Sequence, residues 1–403
     1  MEKLKRQSWT IALLAALGAI GLHFYLTSKF FALRFGALTS ESVCNLNELW
    51  NCDTVSASQY AQFLGIPMAL WGLTTNLIFA LMLIGTRLRW FENDDRGKRY
   101  VYWYALIIGL ASVVMGFISL TKLKSLCLFC VIAYGLSIVA FIATRIWARP
   151  HFFEHLGDDV RALFAKHHVT LGSFIAVPAL AFLMNSMFLD QYNGNQIGLI
   201  AQEKVLQWKQ APMQVFDTTQ GLSLYKGTGN PQMEIVEFAD FRCPHCKTAV
   251  YSLDSFASAH NDVRLIYKYF PLDGSCNEAI GGGKGGDGIS CAAAFITQCS
   301  EKLFKRGWDA HHFFYNNQSQ LHGISNTEEV LKMACDGLKY DCAAVKACVE
   351  NPETVNEVRA MAAEGARAKI SGTPTIFVNG RQLSGGQLIP VLEEAHADLL
   401  KTK

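Results

Sequence analysis

Five long stretches of the chain hold no Asp, Glu, Lys or Arg: residues 7–28, 54–86, 100–121, 125–144 and 167–189. Rising about 1.5 Å per residue as a helix, each can cross a hydrocarbon core of about 30 Å. The second stretch contains a break. TVSASQY (54–60) is polar, so the spanning part is expected from about Gly65-Ile66-Pro67 onward. Pro178, Asn185 and Ser186 interrupt the fifth. A cleaved signal peptide behind Lys3, Lys5 and Arg6 is the other reading of the first stretch, but four further spans make it unnecessary.

Basic residues in short loops orient such spans. With the N-terminus inside, Lys3, Lys5 and Arg6 share the inner side with Arg87, Arg89, Arg96, Lys98, Arg99, Arg145, Arg149, Arg161 and Lys166, twelve in all. The outer segments hold four: Lys29, Arg34, Lys122 and Lys124. An N-in, C-out chain follows, with everything after about residue 190 outside the cytosol. Charge density agrees. Residues 1–190 carry 16 basic and 11 acidic side chains, and residues 191–403 carry 20 and 23. The formal net charge of +2 lacks the basic signature of a nucleic-acid binder, and no such partner is expected.

In this arrangement all twelve cysteines fall on the oxidising side, where disulfides form and persist. Cys44 and Cys52 lie in the first outer loop, Cys127 and Cys130 at the outer end of the fourth span, and eight follow residue 190.

The second portion reads as an α/β domain. Residues 191–214 form a connector with an amphipathic stretch at Ile197–Trp208. Strands are expected at 233–241, 263–270 and 373–381, the last ending in a turn. Helices are expected from 243 to about 259, through most of 289–350, over 353–369 and over 387–400. Helices packed on a sheet, with a helical insertion, describe the domain. GGGKGGDG (281–288) lacks the spacing and the GK[ST] of a phosphate loop, and no G-x-G-x-x-G follows a strand.

Cys243-Pro244-His245-Cys246 sits directly after a strand and opens a helix, the position of a redox C-x-x-C. The helix N-terminus and His245 favour a Cys243 thiolate. Half of a zinc site is the other reading, but Cys276, Cys291, Cys299, Cys335, Cys342 and Cys348 offer no second C-x-x-C. Those six permit fifteen pairings; Cys276 with Cys291 is favoured, because the glycine-rich loop between them can fold back. Cys127-Leu128-Phe129-Cys130 places two thiols on one helical face with Tyr134 four residues on. Small buried packing residues would look the same.

EFADFRCPHC (237–246) resembles the active-site segment of the DsbA family of bacterial thiol oxidases, thioredoxin-fold proteins with a helical insertion. The resemblance implies a buried acidic residue at Glu237 with Lys268 as its partner, and a cis-proline at Thr373-Pro374 facing the cysteines. An ordinary surface salt bridge is the alternative for Glu237 and Lys268. The two loop cysteines, the SAS segment, GIPMALWG and the membrane C-x-x-C resemble the vitamin K epoxide reductase family over roughly residues 8–147. That resemblance implies a four-helix reductase core plus a fifth span, with Cys127 and Cys130 as the redox centre and Cys130 nearest a quinone. It further implies Cys44 and Cys52 as shuttle cysteines, and Tyr134 and Ser58 in the quinone pocket; Asn76 is a weaker candidate hydrogen bonder. The expected organisation is a reductase-like membrane domain over 1–150, a fifth span and linker over 151–213, and a thioredoxin-fold domain over 214–403.

These resemblances imply a quinone-dependent thiol oxidase of a bacterial inner membrane, with its C-terminal domain periplasmic. Its partners would be secreted or periplasmic client thiols and the membrane quinone pool. A quinone of ubiquinone, menaquinone or phylloquinone type is the expected acceptor, and no metal is expected. The same cysteines could instead run as a membrane reductase or isomerase, because direction depends on potentials. A membrane-anchored thiolate metal module using His311-His312 is a third reading, although adjacent histidines are commonly an exposed helix feature.

Overall fold

A computed structural model of the 403-residue chain describes residues 2–47, 49–91, 93–123, 125–148, 152–165 and 168–401. Lys124, Arg149 and Lys166, used above for orientation, lie outside the described residues. The chain divides into two compact units. One comprises Met1–Leu33 and Glu41–Asn195, the other Arg34–Ser40 and Gln196–Lys403.

In the first unit, five helices are long and apolar enough to cross a membrane. These are α1 (Glu2–Arg34), α3 (Met68–Arg87), α4 (Asp94–Ile118, prolonged by a π turn to Leu123), α5 (Leu128–Ala148) and α7 (His168–Gln191). The polar break is real. α2 (Cys52–Ala57) is capped by the Asn51 side chain, and strands β1 (Gln62–Phe63) and β2 (Ile66–Pro67) form a tiny antiparallel hairpin. Leu64 and Gly65 turn it with positive φ, as a two-residue hairpin demands, and α3 starts directly after Pro67. α7 runs through Pro178 without a break. α6 (Phe152–Ala165) is a separate helix ahead of it that the hydropathy did not mark. α5 opens one residue after Cys127, so only Cys130 of the membrane pair is helical.

The second unit starts within α8 (Gly194–Gln210), which joins the domain through the Trp208 indole N–H, donated to the Val378 carbonyl at 3.0 Å. A five-stranded sheet has the order β3-β5-β4-β6-β7. β4 (Met233–Ala239) and β5 (Val263–Tyr269) are parallel, while β3 (Leu222–Leu224), β6 (Thr375–Val378) and β7 (Arg381–Gln382) add antiparallel. The β3 and β7 strands were not expected, since three and two residues carry no readable alternation. Asn379 and Gly380, both at positive φ, turn β6 into β7.

α9 (Pro244–Ala259) crosses between β4 and β5. The insertion comprises α10 (Ile289–Phe304), α11 (Gly307–Asn316), α12 (Gln318–Gly323), α13 (Thr327–Leu338) and α14 (Cys342–Val349). α15 (Pro352–Arg367) and α16 (Ile389–Lys401) complete the unit. Asn326, Asp341 and Asn351 cap α13, α14 and α15, each accepting from the first turn. Cys299–Cys348 and Cys335–Cys342 are disulfides within the insertion, and Cys276–Cys291 closes the glycine-rich loop. A Cβ on Gly286 of that loop would meet Asp273 Oδ1 at 2.0 Å, so the loop needs glycine there.

Strand residues alternate between two cores. Val236, Phe238, Ile266, Phe270 and Phe377 pack on one face, and Tyr267 and Tyr269 join the insertion helices on the other. This parity corrects one expectation. Lys268 lies beside Phe238 in register, on the face opposite Glu237, so the two do not pair. Lys268, wholly buried, donates instead to Glu364 Oε2 on α15 at 2.5 Å and to the Asp217 carbonyl at 2.7 Å. Glu364→Ala would leave that ammonium buried without its carboxylate. Thermal unfolding of the full chain in detergent is expected to show a loss of about 3–5 kcal/mol, with much of it recovered in Lys268→Met/Glu364→Leu. An unchanged single variant would disprove the pairing.

Candidate active site

The strand-to-helix junction of the second unit builds one site. Cys243 is the N-cap of α9, Pro244 takes the first helical position, where a missing N–H costs nothing, and Cys246 lies in the first turn. The Cys246 amide N–H donates to Cys243 Sγ at 3.4 Å, and the Cys243 thiol donates to the Thr373 carbonyl at 3.3 Å. The Thr373–Pro374 peptide is cis. Cys243 is 8% exposed, Cys246 is fully buried and His245 is exposed. Both cysteines are free thiols in this structure.

Their environments pull the two thiols apart. The Cys246 thiol, the Thr373 side chain and the helix amides hold Cys243 down at about 6, against the opposing effect of burial. Burial and the hydrogen bond to Cys243 push Cys246 well above its ordinary range. One thiol is a ready nucleophile and the other stays protonated. With the remaining described cysteines bonded in pairs, thiolate absorbance should rise through pH 6 and vanish in Cys243→Ser. A single transition near 8.5, the ordinary free-cysteine value, would contradict this geometry.

Glu237 is buried beneath the pair, and its Oε1 has no hydrogen-bond partner. Burial, followed by the charges of Asp254 and Cys243, raises its carboxyl well above the usual range. Three supports were not legible beforehand. Asp240 accepts from the Arg242 and Leu272 amides at 2.6 and 2.8 Å. Gln318 of α12 donates to the Phe241 and Cys243 carbonyls at 2.8 and 2.9 Å, holding the approach to the motif. Glu364, as described, takes the Lys268 ammonium. Asp240 to Arg242 is a local two-residue turn, but the Leu272, Gln318 and Glu364 contacts join residues distant in the chain and carry no sequence signal.

The first unit holds four further cysteines in one cluster, three of them buried and Cys130 partly so. Cys44–Cys52 and Cys127–Cys130 are both disulfides, and the two pairs pack together with Leu26 and Phe129. A backbone clasp sets this juxtaposition: Leu126 N–H donates to the Leu49 carbonyl at 2.6 Å, and Asn51 N–H donates to the Leu126 carbonyl at 2.8 Å. Buried Asp53 knits the loop, accepting from the Ser42 amide and hydroxyl and from Asn45 Nδ2. Asn45 Oδ1 in turn accepts from the Cys52 amide at 2.8 Å.

Cys130 opens onto a mostly apolar pocket enclosing about 1080 Å³ of empty space, its mouth included. Tyr134, Ser58 and Asn76 line it, with His23 and Trp71, which the sequence did not single out. Ser58 donates its hydroxyl to the Val55 carbonyl, and Asn76 donates to the Gly72 carbonyl, both at 2.8 Å. His23 Nδ1 is buried without a partner. A few polar groups in apolar walls are the general make-up of a small-molecule site.

Residues 9–145 match the vitamin K epoxide reductase family, and residues 219–394 match a thioredoxin family. The chain is similar to the probable disulfide bond formation protein D of Bacillus anthracis, 28% identical over 178 residues, which are 42% of this chain and 73% of that protein. It is also similar, at 22% identity over 162 residues or 40% of this chain, to the Na(+)/H(+) antiporter NhaA 1 of Mycolicibacterium vanbaalenii, and it spans only 24% of that protein's length. Among solved structures, oxidised BdbD from Bacillus subtilis aligns with 47% of this chain and 98% of its own at 17% identity and a TM-score of 0.36. The chain thus carries a segment that matches the vitamin K epoxide reductase family, with two disulfides packed together, ahead of a segment that matches a thioredoxin family, with a free C-x-x-C pair at the start of a helix.

Proposed function

We propose that the protein is a quinone-dependent thiol oxidase that makes disulfides in client proteins outside the cytosol. The observation that carries this reading is the packing of Cys44–Cys52 against Cys127–Cys130, with Cys130 and Tyr134 lining one apolar pocket. A client thiolate attacks the oxidised Cys243–Cys246 pair, and the client's second thiol releases its own disulfide. Cys243, then a thiolate, attacks the Cys44–Cys52 disulfide, and Cys246 resolves the mixed disulfide. The loop dithiol reduces Cys127–Cys130 by the same exchange. Reoxidation of that pair gives up two electrons and two protons, which a quinone accepts when bound. The Tyr134 hydroxyl and the Asn76 amide supply hydrogen bonds to its oxygens, Ser58 lines the loop side, and the apolar walls exclude water. Glu237 tunes the Cys246 thiol, and the His245 backbone amide favours the Cys243 thiolate. We place the protein in a bacterial inner membrane, N-terminus cytoplasmic and C-terminal domain periplasmic, as the basic-loop asymmetry supports.

Anaerobic incubation of the full chain with a reduced dithiol peptide and a soluble quinone tests the direction. One quinol should form per peptide disulfide. Quinol driving reduction of a disulfide peptide, with no forward reaction, would establish the reductase reading instead.

A further inference from the structure

Among the described residues, Asp254 of α9 and His311 and His312 of α11 bring one carboxylate oxygen and two imidazole nitrogens within 4.8 Å of one another. Adjacent histidines on a helix are commonly a surface feature. These two are unlike. His311 is fully buried, its ring 4.4 Å from Tyr267, 4.8 Å from Trp308 and 5.0 Å from Tyr315, whereas His312 is partly exposed. His312 Nε2 lies 2.6 Å from Asp254 Oδ2.

Two buried polar groups here are unsatisfied. Neither ring nitrogen of His311 has a hydrogen-bond partner, and neither does Asp254 Oδ1. Leaving such groups unpaired in a protein interior is costly, and native structures leave few of them. From these residues we infer a divalent transition-metal site, of the zinc or cobalt class, held by Asp254, His311 and His312 with a fourth position open to water or an added ligand.

The donor set selects the ion. Two imidazoles and one carboxylate suit zinc and its neighbours, while calcium and magnesium take oxygen ligands. Bonds of about 2.0–2.2 Å at tetrahedral angles put donors roughly 3.3 Å apart, so the widest donor separation must close by about 1.5 Å. His312 and Asp254, neither fully buried, have the freedom to do this. Burial pushes His311 well below its ordinary value, which keeps its imidazole neutral with a lone pair to donate.

The test uses the full chain in detergent, purified without a histidine tag and carrying Cys243→Ser and Cys246→Ser. No described thiolate then remains to bind metal, because the other ten cysteines are disulfide-bonded. Cobalt titration should saturate at one equivalent with the visible absorption of a four-coordinate nitrogen–oxygen site. Zinc should displace it and calcium should not. His312→Gln and Asp254→Asn leave the buried core untouched, and each should weaken cobalt binding by at least about 10-fold, the lower end of the loss seen even for outer-shell partners. Absence of a saturable equivalent, or unchanged affinity in both variants, would overturn the site and leave His312–Asp254 as a plain hydrogen-bonded pair.

Discussion

Cys130→Ala is expected to abolish quinone reduction with every electron donor, because the sulfur that lines the proposed quinone pocket is gone while the rest of the pocket stays. The substitution removes one sulfur from a partly buried site in the first turn of α5, so the protein should still fold and bind a quinone analogue. Tyr134→Phe grades the same step. It keeps the ring, and with it the pocket wall, but removes the hydroxyl. Losing one preorganised donor costs up to about 2.7–4 kcal/mol, or roughly 10²–10³-fold in rate. Thiol exchange at Cys243 should be untouched, since that step uses only the CPHC pair. A Tyr134→Phe enzyme with undiminished quinone turnover would move the donor role to another pocket group, Asn76 or His23.

Cys44→Ala and Cys52→Ala should separate the donors. Each is expected to block electron flow from the CPHC pair to quinone, yet leave quinone reduction intact when a small membrane-permeant dithiol reduces Cys127–Cys130 directly. The contrast should approach complete loss against near-full activity, because a relay in series stops at its missing member. Rates of quinol formation with the two donors check it. Loop variants that keep full turnover with protein dithiols would mean that Cys243 reaches Cys127 without the loop.

Much of this was legible in one dimension. Charge exclusion from a hydrocarbon core acts along the chain, so the five spans and the polar break before Met68 could be read directly. Cys243 is equally local, since only Asp240, Phe241 and Arg242 separate the strand from the cap and the helix starts directly after it. The misreading of Lys268 has a definite cause. Side chains in a strand change face at every residue, so a one-residue offset between neighbouring parallel strands decides which core receives a charge. Glu237 is level with Tyr267, not with Lys268, and the true partner Glu364 lies 96 residues away on a helix. Gln318, 75 residues beyond Cys243, and the Cys299–Cys348 pair, 49 residues apart, are likewise products of packing in the insertion. The membrane C-x-x-C shows a subtler limit. Two cysteines three apart suggested one helical face, but the helix begins between them, and a backbone clasp at Leu126 sets where they meet the loop pair.

A trapped intermediate tests the proposed order of the relay most directly. Cys246→Ala removes the resolving thiol, so a Cys243 thiolate that attacks the loop disulfide should remain covalently attached. Full-length protein carrying this change, acid-quenched, digested without reductant and examined by mass spectrometry, should yield Cys243 linked to Cys44 or Cys52. Cys243 linked to Cys127 or Cys130 instead, with the Cys44–Cys52 disulfide intact, would contradict it.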